Sequence, residues 1–147
     1  MLVTAESCTG GWVAEAVTMI SGSSAWFERG FVTYTDLAKQ EMLGVQSATL
    51  AQHGAVSEPT VREMAAGALA RSRGDVAVSV SGVAGPTGGT PAKPVGMVCL
   101  GWSVRGREAI SVTRHFPGDR EAVRRSAVID ALEGLIQLAR GGGDGSP

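Results

Sequence analysis

The sequence predicts an α/β sandwich built on a mixed sheet. Strand-like segments alternate with helix-like ones along most of the chain, the pattern that layers helices on a sheet. Asp75–Ser81 sets Val76, Val78 and Val80 around Ala77, an apolar run of the kind buried on both faces. Two strand-like segments near the end are joined by the short turn Arg105-Gly106-Arg107, so at least one pairing is antiparallel.

Each element has its own local reason. Leu2–Glu6 reads as a buried strand, and Gly10–Ile20 as a helix with Trp12, Val13, Ala16, Val17 and Ile20 roughly on one face. Ser21-Gly22-Ser23-Ser24 is a turn, and Phe27–Tyr34 carries the β-formers of a second strand. Asp36–Leu43 and Ser47–His53 are short helices, stopped by Gly44 and Gly54. Ser57 caps a helix from Glu58 to about Arg73, with Pro59 tolerated in its first turn. Val95–Val104 and Glu108–Phe116 are the late strand pair, and Asp119 opens a long helix to Arg140. Residues 1–140 therefore read as one domain, and 141–147, rich in glycine, as a flexible tail.

Composition narrows the function classes. At 147 residues the chain suits one domain with a real core. Hydrophobic residues at 44% and charged residues at 18% fit a globular domain and exclude disorder. A net charge of −1 with no basic run argues against nucleic acid as a partner. Apolar runs are broken every few residues by Gly, Ser or charge, which argues against a membrane span. No secretory signal is expected, and two cysteines, Cys8 and Cys99, make no disulfide framework, so a cytoplasmic setting is expected. Eleven arginines stand against two lysines, Lys39 and Lys93, and a single tyrosine, Tyr34. Lysine differs from arginine in carrying an amine whose pKa moves toward neutrality on burial.

Ligands of open α/β sheets bind beyond the carboxyl ends of the strands. Three loops there carry unusual chemistry: Glu6–Gly11, Thr33–Lys39 and Ser81–Lys93. Ser7 follows the first strand and is a candidate nucleophile, for which the amides of Thr9 and Gly10 are candidate oxyanion donors. The other reading of Ser7 is a cap for the next helix. Cys8 is the rival nucleophile, although its alternate position along the strand suits a core side chain equally well. His53 and His115 allow a serine–histidine triad only weakly, His53 lying at a helix end where imidazoles are commonly structural. Lys39 is the better base, since serine–lysine pairs are a variant of triad chemistry. Tyr34 could relay a proton or orient a substrate, or simply face solvent at a strand end.

The loop Ser81-Gly82-Val83-Ala84-Gly85-Pro86-Thr87-Gly88-Gly89 follows the most apolar strand and is glycine-rich enough to approach a phosphate. It has neither the Gly-Lys-Ser/Thr ending of a Walker loop nor a dinucleotide fingerprint. Its length alone favours function over an elaborate turn. Arg120, after Gly118-Asp119, is a candidate phosphate fork. The carboxylates Glu6, Asp36 and Asp119 are scattered and no Cys/His cluster occurs, so no metal site is expected.

Together these blocks resemble a known family. Ala5-Glu6-Ser7-Cys8-Thr9-Gly10-Gly11, Gly22-Ser23-Ser24, Tyr34 with Ala38-Lys39, and His53-Gly54-Ala55-Val56-Ser57 are similar to the CinA C-terminal domain family. So are Ser81-Gly82-Val83-Ala84-Gly85-Pro86, Lys93-Pro94-Val95-Gly96 and Phe116-Pro117-Gly118-Asp119-Arg120, in family order across about residues 2–138. The resemblance implies a three-layer α/β/α sandwich with a mixed, mainly parallel sheet. It also implies hydrolysis of nicotinamide mononucleotide to nicotinic acid mononucleotide and ammonia, with no cofactor and no metal. By the same resemblance Ser7, Tyr34 and Lys39 are catalytic, while Thr9, Gly10, Gly11, Ser81, Gly82, Gly85, Gly88, Gly89 and Arg120 bind substrate. The implied partner is a small nucleotide, and the implied assembly a homo-oligomer, a dimer. Most family members carry a helix before the first strand, whereas Met1 here nearly begins that strand, so either the start lies further upstream or this member has lost that helix. Loss of that helix would expose an apolar face.

Two other readings stand beside the amidase. A non-catalytic nucleotide-binding module of the competence- and damage-inducible type needs the glycines and Arg120 but no nucleophile. An amidase for another small amide also stands, because the sequence does not spell out a pyridine pocket. Ser7, Tyr34 and Lys39 occurring together favour an enzyme.

Overall fold

The computed structural model describes residues 1–141; the expected flexible tail lies, from residue 142 onward, outside the described residues. Five strands, β1 (Leu2–Glu6), β2 (Phe27–Val32), β3 (Val76–Gly82), β4 (Met97–Val104) and β5 (Ile110–His115), form one sheet in the order β2-β1-β3-β4-β5. β1 pairs parallel with both β2 and β3, while β4 runs antiparallel to β3 and to β5. The sheet is mixed, with β4 opposed to the other four strands.

Helices α1 (Trp12–Thr18), α2 (Asp36–Leu43), α3 (Ser47–His53), α4 (Glu58–Ala70) and α5 (Arg120–Gly141) complete the three layers. Alternation along the strands divides the core. Val3, Ala5 and Ala77 pack with Leu43, Leu50, Val61, Met64 and Ala68 on the α2–α4 side. Val78, Val80, Leu100 and Trp102 pack with Val13, Val123, Ala127 and Ala131 on the α1/α5 side. Trp102 is 1% exposed, and its indole N–H donates to the Ala131 carbonyl at 3.2 Å, so even the largest core side chain has its polar group satisfied.

Several element ends differ from the expectations, each for a visible reason. α1 begins at Trp12 rather than Gly10, because Gly10 and Gly11 have φ of 59° and 104°, outside the right-handed helix. β2 stops at Val32 instead of Tyr34: the Thr33 and Tyr34 carbonyls serve Lys39. α4 ends at Ala70 rather than Arg73, where the Arg105 guanidinium takes the Leu69 carbonyl at 2.9 Å. α2 and α3 span the expected residues, and Ser57 caps α4 by accepting from the Thr60 N–H.

Candidate active site

β1, β2 and β3 run in one direction and release their chains at one edge of the sheet. Ser7 follows β1 directly. Its N–H still donates to the Val80 carbonyl at 3.0 Å, so the residue is tied to β3 even as the chain turns. The turn closes through the Gly10 N–H, which donates to the Ser7 carbonyl at 3.0 Å.

Lys39 reaches this point from α2, whose start is fixed by Thr35 accepting from the Ala38 N–H. The Lys39 amine is 1% exposed as a residue and lies 3.0 Å from Ser7 Oγ. It donates to the Thr33 carbonyl at 2.9 Å and to the Tyr34 carbonyl at 3.0 Å. Burial pulls its pKa below the ordinary lysine value, and the pull of the Asp36 carboxylate in the other direction is the smaller effect. In the neutral form two N–H bonds serve the two carbonyls, and the lone pair remains for the Ser7 hydroxyl proton. That division of roles is what a serine nucleophile requires of its base.

Cys8 faces the core. Burial pushes its thiol up to about 11, against the weaker opposing influence of Arg124, so it stays protonated and unreactive near neutrality. Ser7 is therefore the stronger candidate nucleophile at this edge.

Ser7, Tyr34, Lys39, Ser81, Gly82 and Arg120 line one cleft of about 270 Å³, together with Cys8, Ala55, Val56 and Ala84. Ser81 is 1% exposed as a residue and follows Val80, whose carbonyl holds the Ser7 N–H. Arg120 opens α5 and donates to the Gly85 carbonyl at 2.9 Å, leaving further guanidinium N–H groups for a ligand. Tyr34 contributes its carbonyl to the lysine, while the residue is 63% exposed at the cleft.

Other candidates are placed elsewhere. Thr9, Gly10 and Gly11 line a separate depression with Trp12, Glu15 and Arg124. Gly88 and Gly89 line neither space. His53 and His115 are exposed and do not line the cleft. Lys93 donates to the His53 carbonyl and so anchors its loop outside the cleft. Among the described residues, no group of three or more His, Cys, Asp and Glu side chains is arranged to hold a metal ion.

Sequence reasoning missed the part played by Glu6. Its buried carboxylate accepts from Thr9 Oγ1 at 2.6 Å and from the N–H groups of Val13 and Ala14 at 2.8 and 3.1 Å. It thereby caps α1, whose own cap residue, Gly11, has no side chain to do so. Ala55 and Val56 were also unassigned; their one signal was membership of the block His53–Ser57. A larger apolar cavity of about 430 Å³, bounded by residues such as Leu2, Ile20, Trp26 and Leu135, has no titratable lining residue and offers no comparable chemistry.

Fold and cleft together define a three-layer α/β protein with a buried serine–lysine pair at the carboxyl edge of its parallel strands. The chain belongs to the CinA C-terminal domain family, whose model matches residues 1–139. It is 60% identical over 136 residues to the nicotinamide-nucleotide amidohydrolase PncC of Escherichia coli strain K12, covering 92% of this chain and 82% of that protein. The protein of the same name from Pseudomonas putida is 57% identical over 137 residues, covering 93% and 85% of the two chains. The crystal structure of competence/damage inducible protein CihA from Agrobacterium tumefaciens matches with a TM-score of 0.91 at 51% identity, covering 95% of this chain and 85% of that one.

Proposed function

We propose that this chain hydrolyses the carboxamide of nicotinamide mononucleotide to nicotinic acid mononucleotide and ammonia, with Ser7 as nucleophile and Lys39 as its base. The observation that carries this reading is the buried amine 3.0 Å from Ser7 Oγ, with its remaining contacts spent on backbone carbonyls. The relatives that bear the amidohydrolase name supply the substrate.

Ser7 Oγ attacks the carboxamide carbon while its proton passes to the Lys39 amine. The C–O bond forms and the carbonyl oxygen becomes an oxyanion. Collapse breaks the C–N bond as Lys39 returns the proton to the departing nitrogen, which leaves as ammonia. Water then attacks the acyl ester, losing a proton to Lys39; collapse breaks the ester C–O bond as Lys39 returns that proton to Ser7 Oγ, and the acid released gives up its proton to solvent as the carboxylate. Arg120 holds the phosphate as a charge-assisted fork. Ser81 and Gly82 contact the substrate at the cleft wall. Tyr34 keeps the lysine in place through its carbonyl and orients the substrate with its ring.

The test is ammonia release from nicotinamide mononucleotide by the parent and by a folded Ser7→Ala variant. Loss of at least ~10³-fold in kcat is expected in the variant. Equal release by both would remove Ser7 from the nucleophile's role. A folded parent that binds the nucleotide without releasing ammonia would mark a binding module instead.

A further inference from the structure

Arg124 has no part in the chemistry above, yet it touches the turn that follows the nucleophile. Its Nε donates to the Cys8 carbonyl at 3.0 Å and its Nη2 to the Thr9 carbonyl at 3.2 Å. The guanidinium also lies over the Trp12 ring, 5.3 Å from the centroid, so its plane is held from a third side.

The peptide bonds of this turn are trans, the cis bond among the described residues being Gly85-Pro86. In a trans unit the N–H points opposite to the C=O. The Ser7 carbonyl is taken by the Gly10 N–H, which sets the direction of the Cys8 N–H. The Cys8 carbonyl is taken by Arg124, which sets the direction of the Thr9 N–H. Neither of these N–H groups meets an acceptor among the described residues. Thr9 is fully buried, and a buried N–H without an acceptor is uncommon enough to need a reason. Two adjacent donors, fixed in direction and unspent, next to a serine nucleophile are what a developing oxyanion requires.

We infer that Arg124 is a positioning residue: by binding the Cys8 carbonyl it fixes the Thr9 N–H, and by binding the Thr9 carbonyl it orients the Gly10 N–H that holds the Ser7 carbonyl and with it the Cys8 N–H, so that the Cys8 and Thr9 N–H groups are the donor pair for the oxyanion formed when Ser7 attacks. The donor pair is thereby one residue nearer the nucleophile than the Thr9 and Gly10 pair expected from sequence, because the Gly10 N–H closes the turn. The cationic partner also polarises the Cys8–Thr9 peptide and strengthens its N–H as a donor. The inference rests on Ser7 being an acyl-transfer nucleophile, but not on which amide it cleaves.

The experiment compares the parent with Arg124→Ala, Arg124→Lys and Arg125→Ala, each checked by thermal melting. Arg125 is the control, since it flanks the same Trp12 ring at 5.8 Å and pairs with Glu121. Two rates are read: ammonia release from nicotinamide mononucleotide, and labelling of Ser7 by a fluorophosphonate, whose phosphonyl oxygen calls on the same donors. Arg124→Ala is expected to lower kcat and the labelling rate together by about 10- to 100-fold, with KM within about 3-fold. Arg124→Lys, which keeps one donor, and added guanidinium ion with Arg124→Ala should each restore part of both rates. Arg125→Ala should change neither. If Arg124→Ala does not fold, Arg124→Lys carries the test, with partial loss of both rates expected. Both folded variants within about 2-fold of the parent in kcat and labelling, or a loss confined to KM, would overturn the inference. A parent that is labelled at Ser7 but releases no ammonia overturns the substrate reading alone, and the labelling rates then decide the role of Arg124.

Discussion

Lys39 is buried at the meeting of three oxygen atoms, none of which carries a full negative charge: Ser7 Oγ and the carbonyls of Thr33 and Tyr34. An ammonium there is poorly solvated, so burial shifts the balance toward the neutral amine. In the proposed reaction the working form is the one without the proton, so the sign of the pH dependence follows. As pH rises through the lowered Lys39 pKa, a larger fraction of the enzyme has a competent base, and kcat/KM for nicotinamide mononucleotide should climb to a plateau. The rising limb should lie below the ordinary lysine value of 10.5. Lys39→Arg cannot lose its proton, so its profile should lack that limb and its rate should fall by about 10²- to 10⁴-fold. A pH–rate profile of parent and variant checks this, and an unchanged limb in Lys39→Arg would assign the titration to another group. At this scale the sequence was legible where residue chemistry is specific: a serine after a strand and a lysine in an arginine-rich chain. Glu6 was not legible, since its task depends on α1 turning back over the end of β1, which no local pattern records.

Elements meet closely where a side chain is missing. Gly67 sits inside α4, where a glycine ordinarily costs about 1 kcal/mol relative to alanine. Here a Cβ would come within 1.8 Å of the Leu43 carbonyl oxygen, at the last residue of α2. The contact is with backbone, so no rotamer change relieves it. Gly67→Ala should therefore destabilise by roughly 1–3 kcal/mol or more, despite its better helix propensity, because α2 must move. Since α2 carries Lys39, the same variant should lose activity before it loses its fold. Urea denaturation alongside ammonia release tests both parts; a variant more stable than the parent would mean that α2 and α4 are less tightly seated. Element ends were readable wherever turn chemistry announces them, as at Gly44, Gly54 and Ser57. They were misread where a distant group takes the backbone, as Lys39 does at the end of β2 and Arg105 at the end of α4.

Across the whole molecule, the sheet gathers the site from parts far apart in sequence. Ser7 comes from the turn after β1, Lys39 from the helix after β2, Ser81 from β3 and Arg120 from the start of α5. The rule that ligands bind beyond parallel strand ends pointed to the edge where Ser7 and Lys39 meet, but the strand order had to come from long-range pairing, which leaves little trace in local sequence. This division of labour separates binding from bond making. In the proposed reaction Ser7 supplies the attacking oxygen, whereas Arg120 and the cleft walls supply affinity. A nucleotide that binds the folded chain and not the unfolded one stabilises it by mass action, by about 2.7 kcal/mol at 100 times Kd. For a chain of this size that corresponds to a rise in Tm of roughly 5–10 °C. Nicotinamide mononucleotide should give the folded Ser7→Ala variant nearly the same rise as it gives the parent with freshly added substrate, although only the parent turns it over. Arg120→Ala should lose most of the rise in either background. A shift that survives Arg120→Ala would move the phosphate away from α5, and no shift in Ser7→Ala would mean that the serine holds the substrate as well as attacking it.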